Sequence, residues 1–207
     1  NDLFGAVMSN VTNRGFRDSS EKDVHKFYYE VPDALNFVKD LLVKFDTGIT
    51  DIKIETYNDS EGKEVYYPVF IFDVGGDKKS LRLHHQSSGT RRLYKLLAYF
   101  FVVFEFSGLA TSSLFIADEL DLHLHSKILP EITKLFENSE NTQLIFTCQN
   151  DQILDVMGKY RTIFINKEEN ESYSYRLDEL SSDLLRNKRP ITPHYENGSI
   201  GGVPEIG

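Results

Sequence analysis

Apolar residues recur along this chain with two different periods, and each change of period marks a change of element. From Asn1 to about Glu30 the sequence is polar without clear periodicity, which predicts a loop or arm. Pro32 and Asp33 then open a helical pattern, with Leu35, Val38, Leu41, Leu42 and Phe45 on one face and Gly48 as its stop. Strand-like alternation follows at Asp51–Tyr57, Val65–Val74 and Ser80–His84. The turn sequences Ser60-Glu61-Gly62 and Gly75-Gly76-Asp77 join these runs as antiparallel hairpins.

After His84 the period lengthens again. Leu93, Leu96, Leu97, Phe100, Phe101 and Phe104 predict one face of a long helix, with Ser87 or Ser88 as N-cap and Gly108 as its end. A short apolar strand at Leu114–Ala117 runs into acidic residues, and Ile128, Ile132, Leu135 and Phe136 mark the next helix. A second buried-type strand at Gln143–Thr147, a short helix at Asp151–Met157, a strand at Thr162–Asn166 and a hairpin strand near Ser172–Leu177 complete the series. Strands alternating with helices predict an α/β fold, its parallel sheet covered by helices on both faces, with an antiparallel hairpin region and a helical lobe. The expected organisation is an arm and helical-lobe segment (1–50), an antiparallel region (51–86), an α/β core (87–178) and an irregular tail (179–207).

Composition narrows the function classes. The 207 residues include a single cysteine, Cys148, so no internal disulfide forms, and a reducing, cytoplasmic setting is the expectation. No apolar run reaches the ~20 residues that span a bilayer, so no membrane partner is expected. The formal charge of −9 argues against a general positive field for nucleic acid. It leaves room for a local basic patch, and Arg91, Arg92 and Lys95 share one segment. The chain opens at Asn1 rather than methionine, which suggests a fragment or a processed chain.

The candidate chemistry centres on Leu114-Phe115-Ile116-Ala117-Asp118-Glu119. Strand-forming residues ending in two carboxylates would place both at the C-terminal edge of a sheet, where ligands of open α/β sheets bind. In phosphoryl transfer such a pair holds Mg²⁺ and activates water; alternatively, the two acids merely favour the dipole of a following helix. Upstream, Gln86-Ser87-Ser88-Gly89-Thr90 precedes the long helix, so its backbone N–H groups either face an anion or belong to an ordinary capped start. Downstream, Leu144–Asn150 ends a second strand in polar residues, and pairing of the two strands would bring that end beside Asp118.

Taken in order, these segments resemble the ABC-type AAA ATPases of the abortive-infection branch, relatives of the SMC-type ATPases. Ser87-Ser88-Gly89-Thr90 looks like a degenerate signature motif and Asp118-Glu119 like the end of Walker B. Leu120–His125 resembles the D-loop with its L-H pair, and Phe146–Asn150 the switch segment. Lys44–Ile49 and the terminal Gly198–Pro204 also fit that branch, and the resemblance covers roughly residues 35 to 207. The fold so implied is the C-terminal part of an ABC-type nucleotide-binding domain. The cofactors implied are ATP and Mg²⁺, with Asp118 as metal ligand and Glu119 as catalytic base. Ser87, Ser88, Gly89 and Thr90 would meet the nucleotide of an opposing subunit, with Asp121 and His125 at the dimer interface. The implied assembly is a homodimer closed through a nucleotide sandwich. It would control an effector such as a nuclease, in defence against phage or other mobile DNA, with DNA or RNA as further candidate partners.

Two departures qualify that picture. Gln149 stands where the switch histidine is usual, and a neutral amide gives a phosphate weaker hydrogen bonds than a charged group. Fast hydrolysis and a non-hydrolysing, ATP-gated clamp are therefore both open. No G-x-x-x-x-G-K-S/T loop occurs, because Gly75–Ser80 has the wrong spacing and lies in a hairpin. The phosphate loop is expected upstream of Asn1, and the 207 residues alone are expected to bind ATP weakly and to be inactive outside the full-length dimer. A metal-dependent nuclease built from Asp118, Glu119, Asp121, His123 and His125, with His84 and His85, is the remaining alternative. In an extended segment, D-x-H-x-H would point its side chains to opposite faces, which argues against it.

Overall fold

The computed structural model describes residues 21–45, 48–108, 112–168, 170–180 and 190–203. The arm expected over 1–20, Asp46-Thr47 of the Lys44–Ile49 motif, most of the early tail (181–189) and Pro204 lie outside the described residues. The chain divides into two compact units, 1–147 and 148–207.

In the first unit, α1 (Glu21–Glu30) and α2 (Pro32–Lys44) precede a three-stranded antiparallel sheet in the order β1 (Ile49–Asn58), β2 (Glu64–Val74), β3 (Asp77–Arg82). α1 corrects the expectation of a loop through Glu30. Val24, Phe27 and Tyr28 are spaced three and four apart and all three are buried, which is how a short helix covers a core. The hairpins form as expected. Val74 pairs with Asp77 across Gly75-Gly76, and both glycines adopt positive φ, as a two-residue turn of this type requires. His84 leaves the sheet, since Leu83–His85 form one 3₁₀ turn.

α3 (Ser88–Gly108) is the central element. The sequence predicts a one-sided helix, but from Leu93 to Val103 every residue except Lys95 is buried. The helix is apolar nearly all round because it is packed on more than one side. Its Tyr94 ring lies 4.9 Å from Tyr28 of α1 and 5.5 Å from Phe70 of β2. Its Phe100 ring meets Phe115 of β4 (Ser113–Ala117) at 5.2 Å and Phe136 of α4 (Ile128–Glu137) at 5.0 Å, edge to face in both cases.

β4 pairs in parallel with β5 (Thr142–Phe146), in a register that sets Ala117 opposite Phe146. The architecture is therefore mixed α/β, with a parallel strand pair, antiparallel hairpins and helices. One detail differs from expectation. Phe115 and Ala117 are buried, but Leu114, Ile116 and Ile145 are 48%, 68% and 49% exposed. Among the described residues, the parallel pair is covered on one face, not two.

In the second unit, α5 (Ile153–Met157) precedes the antiparallel hairpin β6 (Ile163–Glu168) and β7 (Glu171–Arg176). The tail is less irregular than its Pro and Gly content suggests, since α6 (Thr192–Glu196) forms within it. The Asp155 carboxylate accepts hydrogen bonds from the Ile191 and Thr192 backbone N–H groups and the Thr192 hydroxyl. Leu154, Phe164, Leu177, Ile191 and Ile200 make a small core. The Gly198–Val203 stretch closes onto the hairpin, with the Tyr175 hydroxyl donating to the Ile200 carbonyl and Gly202 N–H donating to Asn166 Oδ1.

Candidate functional site

The parallel pairing of β4 and β5 puts the ends of the two strands side by side, and the candidate site grows from that juxtaposition. Thr147 N–H donates to the Ala117 carbonyl at 3.0 Å, extending the ladder by one step. The Thr147 hydroxyl then donates to Asp118 Oδ1 at 2.5 Å and accepts the Glu119 N–H at 2.8 Å. Leu120 N–H returns to the Thr147 carbonyl at 2.9 Å, and the Leu120 side chain is fully buried. One threonine thus organises both acids and anchors the turn after them.

Beyond Ala117 the chain bends rather than extends. Glu119 has φ of 48° and His123 has φ of 62°, while 120–123 form turns. The left-handed region costs an L-residue roughly 1–2 kcal/mol, so local bonds must hold it. This also corrects the premise used above against a D-x-H-x-H metal set, because the segment is not extended. Among the described residues, no three His, Cys, Asp or Glu side chains gather as a metal group. The His84 and His85 rings lie 3.9 Å apart, tilted by 46°, and His125 Nδ1 accepts the Lys127 N–H at 3.2 Å.

The start of α3 is packed against this turn. The Ser87 side chain accepts the Thr90 N–H at 3.1 Å and lies 2.9 Å from the Thr90 hydroxyl, so Ser87 is the N-cap and Ser88 the first helical residue. A Cβ added to Gly89 would lie 2.7 Å from the His123 carbonyl oxygen, closer than real contacts allow. Glycine here lets the turn backbone approach the helix. One turn further on, the half-buried Arg92 guanidinium donates to the Glu119 carbonyl at 2.5 Å. Burial lowers the Arg92 pKa, and the nearby charges of Asp121 and Glu119 oppose that shift. Gln86 Nε2 is buried with no hydrogen-bond partner among the described residues.

Of the residues singled out in the sequence, Asp118, Glu119 and Asp121 are joined through Thr147 and Arg92, Gly89 meets the same turn at His123, and Ser87 caps the helix that carries Gly89 and Arg92, all within the first unit. Ser88 begins α3, Thr90 lies beside the Ser87 cap, and His125 ends the turn. Gln149 belongs to the second unit, and Asn150 of the same segment accepts the Gln152 N–H through its side chain. Sequence reasoning missed Thr147 as a site residue and gave Arg92 no role beyond basic charge. The parallel register gives Thr147 its place and the packing of α3 against the turn gives Arg92 its own, and a sequence prints neither.

The arrangement suits a hard divalent cation. Asp118 is a carboxylate at an exposed sheet edge, with Glu119 next in the chain, and oxygen ligands are what Mg²⁺ takes. The fold and this edge describe an α/β domain with a carboxylate pair where such sheets bind nucleotides. The chain belongs to the family described as "AAA domain, putative AbiEii toxin, Type IV TA system", whose profile matches residues 5–155. It is thus an AAA-type ATPase domain, a class that depends on nucleotide and Mg²⁺ in general. No curated protein matches the chain. A crystal structure of the SmcHead bound to the C-winged helix domain of ScpA is similar over 83% of this chain, at 17% identity and a TM-score of 0.49. The match spans 55% of that structure's chain. Among the described residues no helix is long and apolar enough to cross a membrane.

Proposed function

We propose that this chain is the ATP-binding and ATP-hydrolysing subunit of a bacterial abortive-infection system, in which ATP-dependent dimerisation controls an effector. The observation that carries the reading is the Asp118–Thr147–Glu119 corner at the end of two parallel strands. Asp118 holds Mg²⁺ there, directly or through water. Glu119 is the base that orients and deprotonates the attacking water. Ser87, Ser88, Gly89 and Thr90, at the start of α3, contact the nucleotide of an opposing subunit, and Asp121 and His125 line the shared interface. Gln149, in the switch segment, is a neutral donor to phosphate. The family description, which names an AbiEii toxin and a type IV TA system, supports the defence role.

The test is steady-state ATP turnover by the full-length protein with Glu119→Gln. Loss of a general base lowers the rate by ~10²–10⁴. Turnover equal to wild type would remove Glu119 from the mechanism. Gln149 favours a second reading, a clamp whose output is nucleotide binding rather than turnover, since the usual histidine is missing. Faster turnover in Gln149→His supports that reading, and unchanged turnover opposes it.

A further inference from the structure

Glu119 is held from both sides of its own backbone. Its N–H goes to the Thr147 hydroxyl, and its carbonyl takes the Arg92 guanidinium. Between these two bonds sits a φ of 48°, a conformation a glutamate does not choose freely. Backbone rotation to negative φ would swing the Cα–Cβ bond and carry the carboxylate to a different place. The two partners come from separate elements, Thr147 from the end of β5 and Arg92 from the second turn of α3. Thr147 also donates to Asp118, so the spacing of the two acids depends on the same hydroxyl. Arg92 is placed one turn after Ser88, on a helix whose start the Gly89–His123 approach ties to the same turn.

We propose that Arg92 and Thr147 are positioning residues that hold the Glu119 carboxylate in its working direction. Arg92 does so in a way that fixes the carboxylate relative to the helix start at 87–90. The inference rests on the reading of Glu119 as the base. Neither side chain touches the reacting atoms in this role; Arg92 acts through the Glu119 backbone, and Thr147 through that backbone and the Asp118 carboxylate. A displaced base costs catalysis without weakening binding, because misplacement by about 1 Å is enough to slow a reaction ~10²-fold.

The test measures kcat, KM for ATP and melting temperature of the full-length protein. The variants are Arg92→Gln, Arg92→Lys, Thr147→Val, Thr147→Ser and Glu119→Gln. Arg92→Gln and Thr147→Val are expected to lower kcat about 10- to 100-fold while KM stays within about threefold of wild type. Arg92→Lys keeps a charged donor and Thr147→Ser keeps the hydroxyl, so each recovers most of the loss. In the Glu119→Gln background Arg92→Gln does not lower the residual rate further, as expected of a group acting through one residue, and Thr147→Val keeps only the part of its loss that comes through Asp118. Thr147→Val conserves volume and stands as the test if Arg92→Gln fails to fold. Wild-type kcat in folded Thr147→Val, or an additional tenfold loss from Arg92→Gln in the Glu119→Gln background, overturns the proposal. Wild-type turnover in Glu119→Gln is a separate failure, of the base assignment itself, and takes the positioning role with it.

Discussion

The aromatic interior around α3 and the corner at 118–125 are held by opposite means. Phe100 is fully buried against Phe115 and Phe136, and Phe104 adds a further ring 4.9 Å from Phe136. Such packing is non-directional and spread over many weak contacts, so no single atom decides it. Leu120 apart, the corner is half-exposed or exposed; it has two non-glycine residues at positive φ and is held by bonds through Thr147 and Arg92. There, loss of one hydroxyl or one guanidinium removes a directed bond to the Glu119 backbone. The comparison separates what keeps the chain folded from what aims its carboxylates.

The comparison breaks if a core truncation and a corner substitution act alike. Phe100→Ala is expected to have the largest effect on stability, about 3–5 kcal/mol, because it empties a site with few ways to collapse. Thermal denaturation should register this as a fall of roughly 6–20 °C for a chain of this size. Gly89→Ala should cost less, about 1–3 kcal/mol, since its methyl group must displace the His123 carbonyl 2.7 Å away. Its ATP turnover should fall further than that stability loss explains, because the displaced turn carries Glu119. Equal melting temperatures and equal turnover for Gly89→Ala and wild type would show that the corner yields easily.

Much of the interior was legible because packing leaves a periodic trace. The β2–β3 turn, the start of α3 at Ser87-Ser88 and the strand before Asp118 follow from local residue types. α1 was missed although Val24, Phe27 and Tyr28 have helical spacing, because the polar stretch before them obscures a pattern only ten residues long. The burial of α3 on more than one side over 93–103 was under-read, since one face of apolar residues satisfies the sequence whether or not a second is covered. At the corner, the carboxylates were visible as a pair, but their support was not. The contacts Thr147–Glu119 and Arg92–Glu119 join residues 28 and 27 positions apart, and only the parallel register and the approach of α3 create them. His25 belongs to the same class, as an apparently ordinary polar residue in a polar stretch.

His25 sharpens the comparison from the other side, because it is a polar group placed in the interior rather than at the corner. It is 7% exposed, with its Nδ1 3.4 Å from the Tyr94 hydroxyl, and Glu21 and Lys95 are the charged groups acting on it. Burial is the main cause that lowers its pKa from 6.5 to about 4; Lys95 adds to the shift and Glu21 opposes it. The folded state therefore refuses a proton that the unfolded chain accepts. Stability from this group is complete above pH 6.5 and is lost as pH falls from 6.5 towards about 4. Between pH 7 and pH 5 the loss should be roughly 1–2 kcal/mol, seen as a fall of a few degrees in melting temperature. In His25→Gln, which cannot titrate, the same pH change should leave the melting temperature nearly constant. An unchanged slope in that variant would place the acid sensitivity elsewhere in the chain.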